Sequence, residues 1–263
     1  MRLYIEVARK SFRRFATYRG AVLGGVFTNT IFGMIHAYVL LGVHAEREFV
    51  NGFDASDAVT FVFGAQALLM VVRAFGWDEL GQRLRTGDIA SDLQRPADVQ
   101  AWWIAQFVGM SAFYVIFRGL PPFIGGWLVF DEVSLPGPAA LFWFVVTATL
   151  AAGLAGAYWF AVNMIAYWII EVRGVVMAFS LMIMFFGGVI VPLWFLPDAL
   201  LDAFRLTPWA AMVQLPGEVL IGSRDVAACL RVVGLQLFWL SALVGAGRVL
   251  LSTATRRLVV QGG

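Results

Sequence analysis

The side chains that most often carry chemistry in proteins are scarce in this sequence. Its only histidines are His36 and His44, and its only cysteine is Cys229. His44 is followed by Glu46 and Glu48, a group that could in principle bind a metal ion or transfer a proton. Three such residues after an apolar stretch are far more often part of an ordinary solvated loop. We therefore expect no metal site, no disulfide within the chain and no catalytic residue.

The sequence also lacks the motif that binds the phosphates of ATP. Lys10 is the only lysine, and it does not stand in a G-x-x-x-x-G-K-[ST] loop. The motifs G-x-S-x-G, H-E-x-x-H and C-x-x-C are absent as well. We therefore predict that the chain is not an enzyme and holds no cofactor. Its basic residues are spread along the flanks of apolar segments, which argues against nucleic-acid binding.

Composition places the chain in a membrane. Its mean hydropathy is +0.80, and 60% of its residues are hydrophobic. About 20 apolar residues are needed for a helix to cross the bilayer. Six runs qualify, which predicts an all-α integral membrane protein with a single transmembrane domain over 1–263. They are Ala21–Val43 (span 1), Asp57–Trp77 (span 2), Ala101–Phe130 (span 3), Pro138–Ile170 (span 4), Gly174–Leu196 (span 5) and Val226–Leu251 (span 6).

Lysine and arginine predict the orientation, because they concentrate on the cytoplasmic side. Residues 1–20, 78–100, the link after span 4 and the C-terminal tail carry twelve of them, whereas the opposite connections carry three. We therefore expect both ends of the chain in the cytoplasm. Within residues 1–20 the apolar side chains recur at helical spacing between arginines. This pattern predicts an amphipathic helix lying on the inner leaflet.

Polar residues interrupt several spans. Gly25, Asn29, Gly33 and His36 fall on one stripe of span 1, and Asn163 lies on a similar face of span 4. Ordinary helix packing explains such stripes, and a pathway lining or a contact with a second membrane subunit are the alternatives.

Span 3 contains a charge and two prolines. Pro121 and Pro122 predict a kink near its outer end. Counting about 1.5 Å per residue from Trp102 puts Arg118 in the outer half of the bilayer. There it would either extend to the outer headgroups or face an internal cavity.

Four prolines divide the stretch after span 5 into short amphipathic pieces, none long enough to cross the membrane. They stand at positions 192, 197, 208 and 216. Several pieces begin with proline, which suits a first helical turn. We expect short re-entrant helices over 197–225 that dip into the outer leaflet and return.

The segment 78–98 is polar, although the apolar spans 2 and 3 flank it. Most of it lies in the stretch LRTGDIASDLQRPADV, Leu84 to Val99, which has almost no apolar face. A short polar helix has no reason to pack on lipid, so it either binds a soluble partner or is a solvated loop.

These features together resemble the permease subunits of type-2 ABC transporters, the ABC-2 exporter class. Gly87, Leu93, Arg95 and Pro96 resemble a G-x(5)-L-x-R-P segment found after span 2 in one bacterial branch. GGVIVPLWFLPDAL and TPWAAMVQLPGEVLIG resemble that branch's end of span 5 and the outer helices that follow. The resemblance covers essentially the whole chain, but its motifs are loose and include no catalytic residue.

The resemblance implies a membrane subunit of an ATP-driven exporter in the cytoplasmic (inner) membrane of a bacterium. ATP and magnesium would bind two copies of a separate ATPase, and segment 78–98 would be the coupling helix seated on it. A second, related permease would complete the complex, with a heterodimer favoured over a homodimer. A smaller ATPase contact, or only a local ion pair, is expected at Glu171 and Arg173. The main coupling residues would be Gly87, Asp88, Asp92, Leu93, Gln94, Arg95 and Pro96.

We further hypothesise a translocation path along the interface of two permeases. The rival interpretation is a self-sufficient channel or an ion-coupled secondary transporter, which would need a charge at mid-membrane. The sequence does not separate drug, lipid, glycan and peptide cargo. The expected path or interface residues are Asn29, Gly33, His36, Gln66, Arg118, Asn163, Met182 and Phe186, and the expected outer gate is formed by Pro192, Trp194, Pro197, Pro208 and Trp209.

Overall fold

The computed structural model describes residues 1–17, 19–165, 167–169, 172–222 and 225–258. These residues are predominantly helical and contain no β-strand, which confirms the all-α prediction. The helices are α1 (Arg2–Phe15), α2 (Arg19–His44), α3 (Ala55–Val72), α4 (Glu79–Thr86), α5 (Ile89–Leu93), α6 (Val99–Tyr114), α7 (Leu120–Val129), α8 (Pro138–Ile165), α9 (Val172–Phe186), α10 (Asp198–Arg205), α11 (Pro208–Met212), α12 (Gln214–Leu220) and α13 (Val226–Leu258).

Five helical runs in the described residues are long and apolar enough to cross a membrane. The predicted span 5 is shorter than expected. Its helix, α9, ends at Phe186, and its 15 residues rise only about 22 Å, less than the hydrocarbon thickness of about 30 Å. The six-span count is therefore not confirmed. The five runs are Val22–His44, Ala55–Val72, Val99–Val129, Pro138–Ile165 and Val226–Thr255.

Helix α3 is the centre of the bundle. Every residue from Ala58 to Val72 is buried, because α2, α6, α7, α8 and α12 pack around it. An apolar helix without a polar face suits such a position. Asp54 and Asp57 form a capping box that satisfies the first amides of α3. The helix ends at Arg73, which adopts a left-handed conformation (φ 53°, ψ 51°), so span 2 is shorter than the predicted Asp57–Trp77.

The prolines of span 3 coincide with a change in its helix. Residues Val115–Gly119 form a π-turn between α6 and α7. Pro121 and Pro122 lack the amide hydrogens that would bond the carbonyls four residues earlier, and their rings crowd those carbonyls. A widened turn relieves the crowding while the helix continues. The run Val99–Val129 is therefore continuous through this turn, and the predicted kink takes the form of a π-turn.

The N-terminal helix α1 packs lengthwise on α6. Val7 and Ser11 are its buried residues, and the Ser11 hydroxyl donates to the Gln106 carbonyl over 2.7 Å. A Cβ atom on Gly109 would lie 2.0 Å from the Ala8 carbonyl oxygen, so only glycine permits this approach. The predicted amphipathic helix is present, and its buried face is directed at α6.

Replacing Gly109 tests this packing. We expect Gly109→Ala to lower the free energy of unfolding by about 1–3 kcal/mol, because the new methyl meets backbone that must shift. Gly153→Ala is the matched control, since its Cβ meets open space. Alanine favours a helix over glycine, so this control should be neutral or slightly stabilising. Unfolding in mixed micelles measures both variants. Equal effects would contradict the packing described here.

Candidate functional site

The segment 78–98 folds at one end of the helical bundle, which we name the inner end. Helix α2 begins at this end and α3 ends there, while α8 and α13 both finish there. The opposite end, which carries residues 45–54, 130–137 and 187–222, is named the outer end.

Two short helices form the coupling segment, which we define as residues 78–98. Gly87 ends α4 in a left-handed conformation (φ 81°) that most residues avoid, so the chain can turn into α5. Arg83 holds the two helices together with a two-pronged ion pair to Asp92: its Nε is 3.0 Å from Oδ2 and its Nη2 is 3.1 Å from Oδ1. The segment is therefore a folded element whose two helices are joined by an internal ion pair.

Asp92 has a different role from the one expected for it. Its side chain is only 5% exposed, and Arg95 Nη2 also contacts it over 3.1 Å. With both oxygens engaged by arginines, Asp92 stabilises the turn and does not face outward. Leu93 is half-buried. The other predicted coupling residues of this segment are exposed. They are Gly87, Asp88, Gln94, Arg95 and Pro96.

Asn163 fixes the coupling segment to the bundle. Its Nδ2 donates to the carbonyls of Trp77 and Trp159, each over 2.7 Å, and its Oδ1 accepts from the Gly81 amide over 2.7 Å. The side chain is fully buried. Asn163 was expected on the translocation path or at the interface with a second permease, with ordinary helix packing as the alternative, and these bonds direct its amide into the chain. Leu80 and Ile89 add buried apolar contacts.

Helices α1 and α13 also contact the coupling segment. Arg14 of α1 pairs with Glu79 at the start of the segment over 2.7 Å. At the other end, Asp98 accepts a hydrogen bond from the Ala101 amide and pairs with Arg248 of α13. Burial acts to raise the pKa of Asp98, but the hydrogen bonds from Arg248 and Ala101 outweigh it and hold the pKa below its usual value. The carboxylate therefore stays ionised, and the pair persists at neutral pH.

The second predicted coupling contact lies partly outside the described residues. Glu171 is one of the residues that the structure leaves undescribed, and Arg173 is exposed in the first turn of α9.

The polar stripe of span 1 faces the interior of the chain. Asn29 donates to the Arg118 carbonyl over 3.4 Å, and Gly33 packs against Phe63 and Gln66. Asn29 and Gly33 therefore support helix packing within this chain, which is one of the alternatives that the sequence left open for this stripe. The opposite face of α2 is apolar and exposed, with Phe27 at 70% and Tyr38 at 64%.

Three residues predicted separately do meet. His36 of α2, Gln66 of α3 and Pro192 line one cavity of about 70 Å³ near the outer end. Met182 is exposed on α9 and does not line this cavity. Phe186 packs instead on Phe204 and Trp209, at centroid distances of 4.8 and 5.2 Å.

The predicted outer gate is anchored by aromatic and polar contacts. Trp194 stacks on Phe53 at 4.2 Å, and its carbonyl accepts from Asn51 over 2.7 Å. Trp209 donates to the Tyr158 hydroxyl over 3.1 Å. Pro192 and Pro208 are buried, whereas Pro197 is exposed.

Most residues of the short helices α11 and α12 are buried against α3, α8 and α13. Gln214 connects them to the preceding turn, since it accepts from the Leu193 amide over 3.1 Å and donates to Glu218 over 2.8 Å. Glu218 also pairs with Arg205 over 3.1 Å.

Arg118 lies elsewhere than predicted. It packs on Gly25, near the beginning of α2, and so lies toward the inner end. The error arises because α6 begins farther toward the inner end than the point where α3 ends. The first turns of α6 run beside α1, and α6 reaches the end of α3 only at Ser111, which bonds the Val71 carbonyl. Sequence reasoning also missed Arg73, which ends α3 beside Arg118. A charged residue within an apolar span was a signal that could have identified it, since Arg73 stands inside the predicted span 2.

His44 is buried at the end of α2, where its Nδ1 bonds the Leu40 carbonyl over 2.9 Å. The solvated loop expected for it therefore describes only Glu46 and Glu48, which are exposed. No cluster of potential metal ligands is found among the described residues.

Comparison with known proteins gives one result. A family model described as ABC-2 family transporter protein matches residues 28–262, which is most of the chain. No curated protein and no solved structure matches.

The role of Asn163 can be tested by removing its amide at similar volume. Asn163→Leu leaves the Gly81 amide and the Trp77 carbonyl without partners, at about 1–3 kcal/mol for each buried group. We expect hydrogen exchange of the amides in 78–86 to accelerate roughly 10–100-fold. Thr149→Ala is the control, since this exposed hydroxyl on the same helix bonds only the Val145 carbonyl. Unchanged exchange in Asn163→Leu would show that the segment is held in another way.

Proposed function

This chain belongs to the ABC-2 family of transporter proteins, and we propose that it forms the membrane-spanning half of an ATP-driven exporter whose ATP is hydrolysed by separate subunits. Members of this family are membrane components that normally act with ABC ATPase subunits. The chain has no phosphate-binding loop of its own, so a partner would have to supply the free energy of ATP. In this proposal the membrane is the cytoplasmic membrane of a bacterium and the inner end faces the cytoplasm.

The observation that supports ATPase coupling most strongly is the build of the coupling segment. The segment is polar and exposed at Asp88, Gln94 and Arg95. Asn163 fixes it to the bundle, and the Arg83–Asp92 pair joins its two helices. A solvated loop does not need to be fixed by such bonds. A surface that transmits force needs them, because a flexible contact would absorb the motion of the partner.

The contacts of the segment suggest how motion would travel. When ATP binding closes the two ATPase subunits, a displaced coupling segment would carry α8 with it through Asn163, α1 through Arg14 and α13 through Arg248. Such a change is a shift between two arrangements of the bundle, which ATP binding would favour by its differential affinity for them.

The rival, a self-sufficient ion-coupled carrier, is less well supported. It would need a carboxylate that can take up and release an ion inside the membrane. Among the described carboxylates, only Asp92 and Glu218 are fully buried, and each is held by an arginine in an ion pair. Each carboxylate is therefore already engaged in a structural contact and is not open to a transported ion.

For the path we propose the side of the molecule where His36, Gln66 and Pro192 meet. Their cavity of about 70 Å³ is too small for a sizeable cargo, so a second permease would have to complete the path. The exposed apolar face of α2 beside this cavity, from Phe27 to Tyr38, is the surface that we expect it to cover. The second permease is either a related chain, which we favour, or another copy of this one.

Bulk added to the coupling surface should block ATPase docking without disturbing the fold. Ala90 is exposed on α5, so we expect Ala90→Trp to reduce the ATPase that copurifies with the chain in mild detergent by at least about tenfold, equivalent to about 1.4 kcal/mol. Ala203→Trp is the matched control, because Ala203 is an equally exposed alanine on the short outer helix α10. Equal recovery with both variants would place the ATPase contact elsewhere.

A photo-reactive residue can locate the second permease. In place of Ile35, which is 53% exposed on α2, such a residue should crosslink to a membrane protein. At Phe238, 61% exposed on α13, it should crosslink mainly to lipid. Mass spectrometry of the product distinguishes a second copy of this chain from a different one. Protein crosslinks from position 238 and none from position 35 would reject the α2 interface.

A further inference from the structure

We propose that the inner end holds a binding site for the phosphate group of an anionic membrane lipid, formed by Arg73 and Arg118 around Tyr114. This site is separate from the coupling surface and does not depend on the transport reaction proposed above.

The two arginines share one aromatic ring. The guanidinium carbon of Arg73 lies 4.6 Å from the centroid of Tyr114, and that of Arg118 lies 5.5 Å from it. The two cations lie close enough to repel each other, and the Tyr114 ring offsets only part of that repulsion. An anion bound between them would offset the rest.

Neither guanidinium finds that anion within the described residues. The ion pairs formed there include neither Arg73 nor Arg118, and the Nε of each is buried without a hydrogen-bond partner. Asp78 attracts Arg73 from a distance, but its Oδ2 accepts a hydrogen bond from Gln82 over 3.2 Å. Arg73 does bond the Tyr114 side chain, but a buried donor without an acceptor is costly, and two such Nε atoms on arginines that share one ring point to a bound oxyanion.

Three backbone features converge on these two side chains. Arg73 adopts a left-handed conformation that is unusual for a residue other than glycine. Arg118 lies in the π-turn that Pro121 and Pro122 explain on steric grounds, so this turn positions the arginine without itself indicating a ligand. Gly25 leaves space for Arg118, since a Cβ there would lie 2.1 Å from the guanidinium carbon. Each feature costs stability, and together they bring the two charges to one place.

The surroundings of the site fit a lipid phosphate. Gly25 is six residues from Arg19, the beginning of α2, a rise of about 9 Å that corresponds to the headgroup boundary if the helix starts at the membrane surface. Phe12 and Phe15 of α1 pack next to the site, and Phe117 is 44% exposed beside it. This arrangement offers apolar contact for acyl chains and two donors for a phosphate, which guanidinium groups bind in pairs.

Lipid retention by the purified chain tests the proposal. We would measure bound phospholipid by native mass spectrometry after exposure to vesicles of phosphatidylglycerol or of phosphatidylcholine. The wild-type chain should retain phosphatidylglycerol at a concentration roughly tenfold or more below that needed for phosphatidylcholine. Arg73→Gln with Arg118→Gln should remove this preference, and Arg73→Lys with Arg118→Lys should restore only part of it, because lysine lacks the paired donors.

The control removes equal charge from the same end of the molecule. Arg9→Gln with Arg13→Gln alters two exposed arginines of α1 and should keep the preference. An equal loss in this control would reduce the effect to general attraction and overturn the site, as would an unchanged preference in the Arg73 and Arg118 double variant. If inorganic phosphate at millimolar concentration displaces the lipid, the ligand is free phosphate and the assignment to a lipid is wrong.

Should the double glutamine variant fail to fold, Gly25→Ala keeps both charges and tests the same point. The new methyl would displace the Arg118 guanidinium, so we expect a weaker preference for phosphatidylglycerol, and an unchanged preference would contradict the geometry.

Discussion

The three hydrogen bonds of Asn163 fix a polar insert to an apolar bundle, and the proposed function of this chain depends on that attachment. The amide donates to Trp77 and Trp159 and accepts from Gly81, so the start of α4 cannot move independently of α8. A buried amide with its bonds made is stable, whereas a partly bonded one is costly. The same logic recurs at Gln214, whose oxygen accepts from the Leu193 amide while its nitrogen donates to Glu218.

Buried polar side chains therefore fix the direction of the segments between helices, which apolar contacts alone do not fix. Apolar contacts hold α3 at the centre without fixing the direction of the segments between helices. Arg83 and Asp92 set the angle between α4 and α5, and Asp98 joins α6 to α13 through Arg248. The result is a bundle in which the inner end carries a polar segment held by side-chain bonds and the outer end carries the short helices α10 to α12.

Hydropathy predicted most of the helices because burial and membrane insertion select the same apolar residues. It overestimated span 5, since the apolar run continues after Gly187 and Gly188, where the helix has already ended. Proline spacing predicted an irregularity in span 3, found as the π-turn, and the short outer helices, for a local steric reason. Gly87 was predicted only as a coupling residue, and its positive φ shows that it also ends α4.

The roles of individual polar residues were harder to predict, because a sequence does not say which neighbour a side chain meets. From the sequence alone, Asp92 resembles an exposed group and Asn163 a path-lining one, yet both bond within the chain. Arg118 was misplaced because α6 begins beside α1, below the end of α3, an offset that no local pattern encodes. The central claim is that force from ATP enters through the surface around Gln94. A photo-reactive residue at position 94 in living cells tests it most directly: the account predicts a crosslink to a subunit with a phosphate-binding loop, and crosslinks only to lipid or to proteins outside the cytoplasm would contradict it.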